Sequence, residues 1–387
     1  MNRIAIKGWC PSAHRPMQSG DGLIVRIRPC GGRLSAAQAL AIADLAARHG
    51  NGLIDLTGRG NLQLRGVRVK SHDPLLAELA GLGLVDADAD VEAQRNILVT
   101  PFWREGDDTQ AIAAELEHVL SECRPGLPAK FGFAVDCGPE RALALAPADI
   151  RFERGAGGGL IVRANGVPYG RSVPSTGAVA LALELASWFL SSGGARDGRG
   201  RMAGHLRQGA RLPDALTGRV SPAGVSPRPS PGVCAPGALV GLAFGQMQGA
   251  TLKFLAERTA GLRMTPWRMV LVEGLRGMPQ RDGLITCADD PLLRAIACTG
   301  APGCERAYAE TRALAQALAP HIPPGARLHV SGCAKGCAHP TPSAITLVAT
   351  NDGFDLVRDG CARDAPTLRG LTPARILADP AAILGGH

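Results

Sequence analysis

Four cysteines toward the C-terminal end have the type and spacing to hold a metal centre. Cys298 and Cys304 enclose five residues, Cys333 and Cys337 enclose three, and about thirty residues separate the two pairs. Gly300, Gly303, Gly332 and Gly336 crowd them. Lacking side chains, these positions let backbone fold closely around an inorganic group and aim N–H donors at its sulfurs. A [4Fe–4S] cluster is the chemistry that fits best. Structural zinc favours two to four residues between paired cysteines, so the first gap matches it poorly. Unligated thiols packed in a core are the other alternative. Cys304 is expected at the start of a helix, whose dipole favours thiolate. The seven remaining cysteines (Cys10, Cys30, Cys123, Cys137, Cys234, Cys287, Cys361) lack paired spacing and read as packing residues.

The elements that position these cysteines read as a duplication. Residues 23–28 (LIVRIR) alternate like a half-buried strand, and Ser35 caps a helix that ends at His49 before Gly50. Strands over 53–56 and 61–66 and a short helix over 74–81 follow. A second unit of the same order has a strand over 238–244, a helix over 250–259 and a strand over 267–272. Residues 95–100 (RNILVT) then align with 294–299 (RAIACT). Each leads into a helix (109–122, 305–319) and a strand (130–136, 327–330). Residues 213–236, rich in Pro, Gly and Ser, read as a surface linker. The expected fold is α+β: units over 1–85 and 86–212, the linker, then units over 237–288 and 289–387. Only the second copy carries the four cysteines.

Bulk properties narrow the function. The net charge of +8 and pI near 9.1 favour an anionic partner, but aromatics are only 4% and the arginines (Arg59, Arg65, Arg68, Arg95, Arg163, Arg171, Arg199, Arg201) are dispersed. Nucleic acid fits that pattern less well than a small polyanion paired to guanidinium groups. No apolar run is long enough to span a membrane and no leader is evident, so a cytoplasmic protein with reduced thiols is expected. The run 155–159 (GAGGG) precedes a strand and reads as a turn, not a dinucleotide site. Electrons should therefore come from outside the chain.

The cysteine pattern resembles that of the sirohaem-dependent sulfite and nitrite reductases. Residues 52–63 (GLIDLTGRGNLQ), Arg95-Asn96 and Leu127-Pro128-Ala129-Lys130-Phe131 are similar to motifs of that superfamily, in the same order. Within it, Gly8-Trp9-Cys10-Pro11, residues 15–23 (RPMQSGDGL) and residues 331–340 (SGCAKGCAHP) resemble the precorrin-3B synthase family. The resemblance implies a pseudo-two-fold architecture of ferredoxin-like units and larger mixed-sheet domains. It also implies an oxygen-dependent monooxygenase that converts precorrin-3A to precorrin-3B, hydroxylating a meso carbon and closing an acetate arm into a γ-lactone.

On this resemblance Arg59, Arg95 and Lys130 face the cavity between the halves and pair with carboxylates of an anionic tetrapyrrole. A mononuclear non-haem iron is implied beside the cluster, with His14, His205 and Asp136 as candidate ligands, or with substrate nitrogens as donors. The electron donor would be NADH acting through a reductase, or a ferredoxin. Sulfite reductases carry a second lysine two positions after Lys130, where this chain has Gly132, so sulfite reduction is disfavoured. The alternatives are a reductase that binds sirohaem, or a non-catalytic electron carrier or tetrapyrrole-binding protein.

Overall fold

The computed structural model describes residues 11–385, so the motif at Gly8, Trp9 and Cys10 lies outside the described residues. Strands and helices are numbered along the chain. The first unit supplies β1 (Met17–Ser19), β2 (Gly22–Ile27), β3 (Arg33–Ser35), β4 (Leu53–Leu56) and β5 (Leu62–Val67). The second supplies β11 (Gly232–Cys234), β12 (Gly237–Leu242), β13 (Gln246–Gln248), β14 (Gly261–Met264), β15 (Met269–Glu273) and a short β16 (Leu284–Ile285) beside β12.

These strands form two antiparallel sheets of identical order, β1-β2-β5-β4-β13 and β11-β12-β15-β14-β3. The last strand of each belongs to the other half of the chain: β13 pairs with β4, and β3 with β14. The exchange went unseen in the sequence because three-residue strands carry almost no periodic signal. Helices α1 (Ala36–His49) and α7 (Gly249–Ala256) follow the exchanged strands and pack on each other over one apolar core, which includes Val25, Ile42 and Leu64 from the first half and Val240, Leu252 and Val270 from the second. The two units therefore make one body. Ser35 begins α1 through a capping box with Gln38, worth ~1 kcal/mol.

The larger domains are also duplicates. The first holds β6 (Ile97–Val99), β7 (Phe133–Asp136), β8 (Ile150–Arg154), β9 (Leu160–Ala164) and β10 (Arg171–Ser172). The second holds β17 (Ala295–Ala297), β18 (Leu328–Ser331), β19 (Ser343–Thr350), β20 (Gly353–Gly360) and β21 (Leu368–Leu371). In each, three parallel strands are followed by two antiparallel ones. Helix α4 (Asp108–Cys123) crosses between β6 and β7, and α8 (Arg312–Leu318) between β17 and β18. The remaining helices are α2 (His72–Gly81), α3 (Ala89–Gln94), α5 (Ser175–Ser191), α6 (Met202–Arg207), α9 (Pro373–Ala378) and α10 (Pro380–Leu384). Phe131, Phe133, Phe152 and Phe189 fill the first of these cores, while the second relies on aliphatic residues and Phe354.

Two expectations change. The helix expected over 305–319 begins only at Arg312, so Cys304 lies in a loop and receives no helix dipole. Backbone bonds from Tyr308 N to Gly332 O (2.9 Å) and from Ala301 N to Ala309 O (3.0 Å) hold that loop outside helical geometry. The segment expected as a linker is a strap. Val220, Pro222 and Val225 bridge Gly170, Gly155 and Arg141, and its last residues form β11.

Candidate redox cleft

The cysteine loops are fixed from both halves of the chain. Cys298 follows β17, and Thr311 Oγ1 donates to its carbonyl at 2.8 Å. Gly332 N donates to Cys298 Sγ at 3.1 Å, the kind of N–H···S contact that stabilises a ligating thiolate. Ser19 Oγ (2.6 Å) and Arg65 Nη2 (2.9 Å) both donate to the carbonyl of Gly303, beside Cys304. Arg65 is itself held by Asp21 (2.9 and 2.8 Å) and Asp55 (3.3 Å). A Cβ on Gly20 would stand 2.3 Å from the carbonyl oxygen of Pro302, so the loop needs glycine there. The segment 15–23 thus braces the Cys304 loop.

Three of the thiols are in electrostatic reach of the fourth, Cys337. Enclosure is the largest influence that raises the Cys337 pKa; Lys335 opposes it, and Cys333, Cys298 and Cys304 raise it further. Thiols gathered around one another in this way are a donor set that a bound positive metal would complete. Yet no three His, Cys, Asp or Glu among the described residues converge on a point suited to one ion. A tetrahedral zinc site would need sulfurs roughly 3.8 Å apart, from Zn–S bonds of about 2.3 Å. The glycine-rich backbone and the N–H···S bond at Cys298 are features that an iron–sulfur group would use.

Cys298 and Cys337 also line a cleft of about 520 Å³. Its other walls come from the turns at Thr57-Gly58 and Pro266-Trp267-Arg268, from Phe244, and from Thr299 and His339. Four arginines, Arg228, Arg268, Arg312 and Arg327, face it against a single acidic lining residue, Asp55. Asp55 is already engaged by Arg65, by Gln246 Nε2 at 2.8 Å and by Arg312 at 3.6 Å. Burial, then Arg312 and Arg228, push the Arg268 guanidinium down to about 10. Buried Arg312 Nε has no hydrogen-bond partner. The cleft thus has an excess of positive charge, a setting that favours an anionic occupant.

The basic residues singled out from the sequence lie elsewhere. Arg95 is 6% exposed and meets Asp86 bidentately (2.8 and 3.0 Å), Glu117 at 3.5 Å and the Arg28 carbonyl at 2.9 Å. It neutralises two carboxylates behind α3, which is a structural task. Arg59 donates to the Lys130 carbonyl at 3.0 Å and lines a separate narrow recess with Asn61 and Asn96. The Lys130 side chain is exposed. None of the three lines the cleft, contrary to the expectation. Arg228 was hidden in a segment that looked like linker, and Arg268, Arg312 and Arg327 carried no motif.

The candidate iron ligands do not form a site. His14 Nε2 meets the Asp86 carbonyl at 2.8 Å, and His205 meets Ser192 Oγ at 2.8 Å between Trp188 and Phe189. Asp136 is buried in β7, accepting from Leu143 N at 2.7 Å. The described residues therefore do not fit a mononuclear iron held by this trio. Sequence reasoning also missed His329, which is fully buried with both ring nitrogens unpartnered, 5.8 Å from the His339 ring. Burial holds its pKa down at about 4. Of the other cysteines read as packing residues, Cys137 is buried in a core and Cys234 packs against another, whereas Cys30, Cys123 and Cys287 are exposed; Cys10 lies outside the described residues.

The duplicated fold is that of the nitrite and sulfite reductase class. Residues 15–82 match the nitrite/sulfite reductase ferredoxin-like half domain. The NirA protein of Mycobacterium tuberculosis superposes with a TM-score of 0.64 at 18% identity, over 92% of this chain and 79% of its own. A ferredoxin–nitrite reductase of Synechococcus elongatus is 29% identical over 37% of this chain and 30% of its own length. A precorrin-3B synthase of Sinorhizobium sp is 32% identical over 93% of this chain and 84% of its own. The chain belongs to the precorrin-3B synthase family of oxidoreductases. No helix among the described residues is long and apolar enough to cross a membrane.

Proposed function

We propose that this protein converts precorrin-3A to precorrin-3B, as an oxygen-dependent monooxygenase of aerobic cobalamin biosynthesis. The observation that carries the reading is the cleft, which brings Cys298 and Cys337 into one wall with four arginines. A flexible macrocycle with many carboxylates is an occupant that this charge suits.

Cys298, Cys304, Cys333 and Cys337 would hold a [4Fe–4S] cluster, which supplies electrons singly from an external donor, NADH through a reductase or a ferredoxin. The chain's own residues do the rest by positioning. The arginines neutralise carboxylates and fix the macrocycle. Asp55 orients Arg312, while Ser19 and Arg65 hold the Cys304 loop. Phe244, Trp267 and the aliphatic wall exclude water from the conjugated face. In balance, O2 with two electrons and two protons delivers one oxygen atom to the substrate and one to water.

The sirohaem reductase reading has less support. At Gly132, where sulfite reductases have lysine, a Cβ would stand 3.0 Å from the Asn96 carbonyl, so a side chain there would have to displace backbone. The test begins with protein purified without oxygen. Iron and sulfide analysis and the visible spectrum identify the bound groups. Precorrin-3A, reductant and isotopically labelled dioxygen should then give a product with one labelled oxygen atom. Unlabelled product, or sulfite turnover with a haem spectrum, would overturn the proposal.

A further inference from the structure

The duplication allows each position in one half to be compared with its counterpart in the other. Between β2 and β3 the chain passes through a turn at Gly31 (φ 57, ψ 14); between β12 and β13 the equivalent turn has Phe244 (φ 56, ψ 13). Between β4 and β5, Thr57 Oγ1 accepts from Arg59 N and the next residue is Gly60 (φ 66). Between β14 and β15, Thr265 Oγ1 accepts from Trp267 N and the next residue is Arg268 (φ 62). Twice, then, a left-handed position filled by glycine in the first half is filled by a bulky residue in the second.

Such conformations are strained for side-chain-bearing residues and tend to persist where function requires them. Among the described residues three other non-glycine residues have φ in this region: Arg124, which ends α4, and Asp197 and Asp359, of a type that tolerates it. Phe244 and Arg268 lack those excuses, and both line the cleft. The glycine counterparts face a packed domain instead. A Cβ on Gly31 would stand 2.7 Å from Gln110 Oε1, and one on Gly60 3.2 Å from Leu98 Cδ1. Arg268 makes one hydrogen bond, to the Ala338 carbonyl at 3.3 Å, and Arg312 and Arg228 add like charge around it.

We propose that Phe244 and Arg268 form a ligand-contact pair in which the ring meets the apolar macrocycle face, and the guanidinium a carboxylate arm, of a polycarboxylated tetrapyrrole in the cleft. The pair rests on the functional reading above and adds to it the residues that distinguish the second half from the first. Neither Arg59 nor Lys130 can replace it, since both lie outside the cleft.

The test uses the full-length protein, anaerobic and with its iron and sulfide measured, and uroporphyrin III as a stable octacarboxylate probe followed by fluorescence quenching. Arg268→Gly, Arg268→Asn and Phe244→Gly all suit left-handed backbone, so folding strain is relieved. Arg196→Asn, on an exposed hairpin outside the cleft, is the control. Each Arg268 variant should bind the probe about tenfold more weakly, Phe244→Gly likewise, with iron content intact and the melting temperature of the Arg268 variants held or raised. Affinity within about twofold of the parent in both Arg268 variants overturns the pair, whatever the melting temperature does. If the parent itself fails to bind the probe, the tetrapyrrole reading of the cleft falls, and the pair with it.

Discussion

Arg65 Nη2 lies 2.9 Å from the carbonyl of Gly303, joining strand β5 of the first half to the loop that carries Cys304 in the second. Through Asp55 the same guanidinium is linked to Arg312 in the cleft wall. Cysteine placement and cleft charge therefore share one network.

Breaking this brace should release the loop. Arg65→Ala takes the guanidinium from Asp21 and Asp55, leaving Asp21 to Asn51 and Asp55 to Gln246 and Arg312, and loss of one member of a buried pair destabilises by up to ~3–5 kcal/mol. Arg65→Lys keeps the charge but cannot span Asp21 and Gly303 together. Reduced iron and sulfide content is expected in both variants, more severely in Arg65→Ala. Full iron loading with an unchanged melting curve in Arg65→Ala would show that the brace is dispensable.

Arg95 should behave in the opposite way. Neither it nor its partners Asp86 and Glu117 line the cleft, and the residue is buried among them. Arg95→Met should lower stability by ~3 kcal/mol, as for other broken buried pairs, and leave tetrapyrrole affinity of the folded fraction unchanged. A selective loss of affinity at constant melting temperature would restore the substrate-binding role that the motif suggested.

That reversal shows where sequence was sufficient. The capping box at Ser35, the strand over Leu53–Leu56 and the internal repeat were legible because propensity and periodicity act locally. The cysteine spacing pointed to metal ligation because ligand chemistry constrains it, and the fold brings Cys298 and Cys337 to one cleft. Arg95 carried the right motif, but its partner Asp86 meets it only through the fold. Arg228, Arg268, Arg312 and Arg327 converge from four separated segments, and no spacing rule connects them. The exchange of β3 and β13 was invisible for the same reason: pairing partners lie in opposite halves.

Asp136 offers a pH test. Burial, the largest influence, raises its carboxyl from 3.8 to about 6, and its Oδ1 has no hydrogen-bond partner. Above pH 6 the folded protein therefore carries a poorly solvated charge. As pH falls through 6 the folded state takes up a proton that the unfolded chain binds only near 3.8, so this group's penalty fades. Asp136→Asn can still accept from Leu143 N. It should be more stable than the parent by ~2–3 kcal/mol at pH 8, with the gain vanishing toward pH 4. Denaturant titrations across that range decide it. A variant equally destabilised at both ends would mean that the carboxylate is well compensated.

The exchanged strands predict how the molecule folds. Each ferredoxin-like sheet lacks its fifth strand without the other half, and the shared core draws on both. A fragment of residues 1–230 would expose the edge of β4 that β13 covers, and 231–387 would expose the edge of β14 that β3 covers. Uncovered edges and a halved apolar core favour aggregation over independent folding. The separate fragments should therefore be insoluble or lack a cooperative transition, while co-expression should restore one complex with a single melting step and bound iron. If either fragment alone melts cooperatively near the temperature of the intact chain, the exchange contributes little, and each unit closes its core unaided.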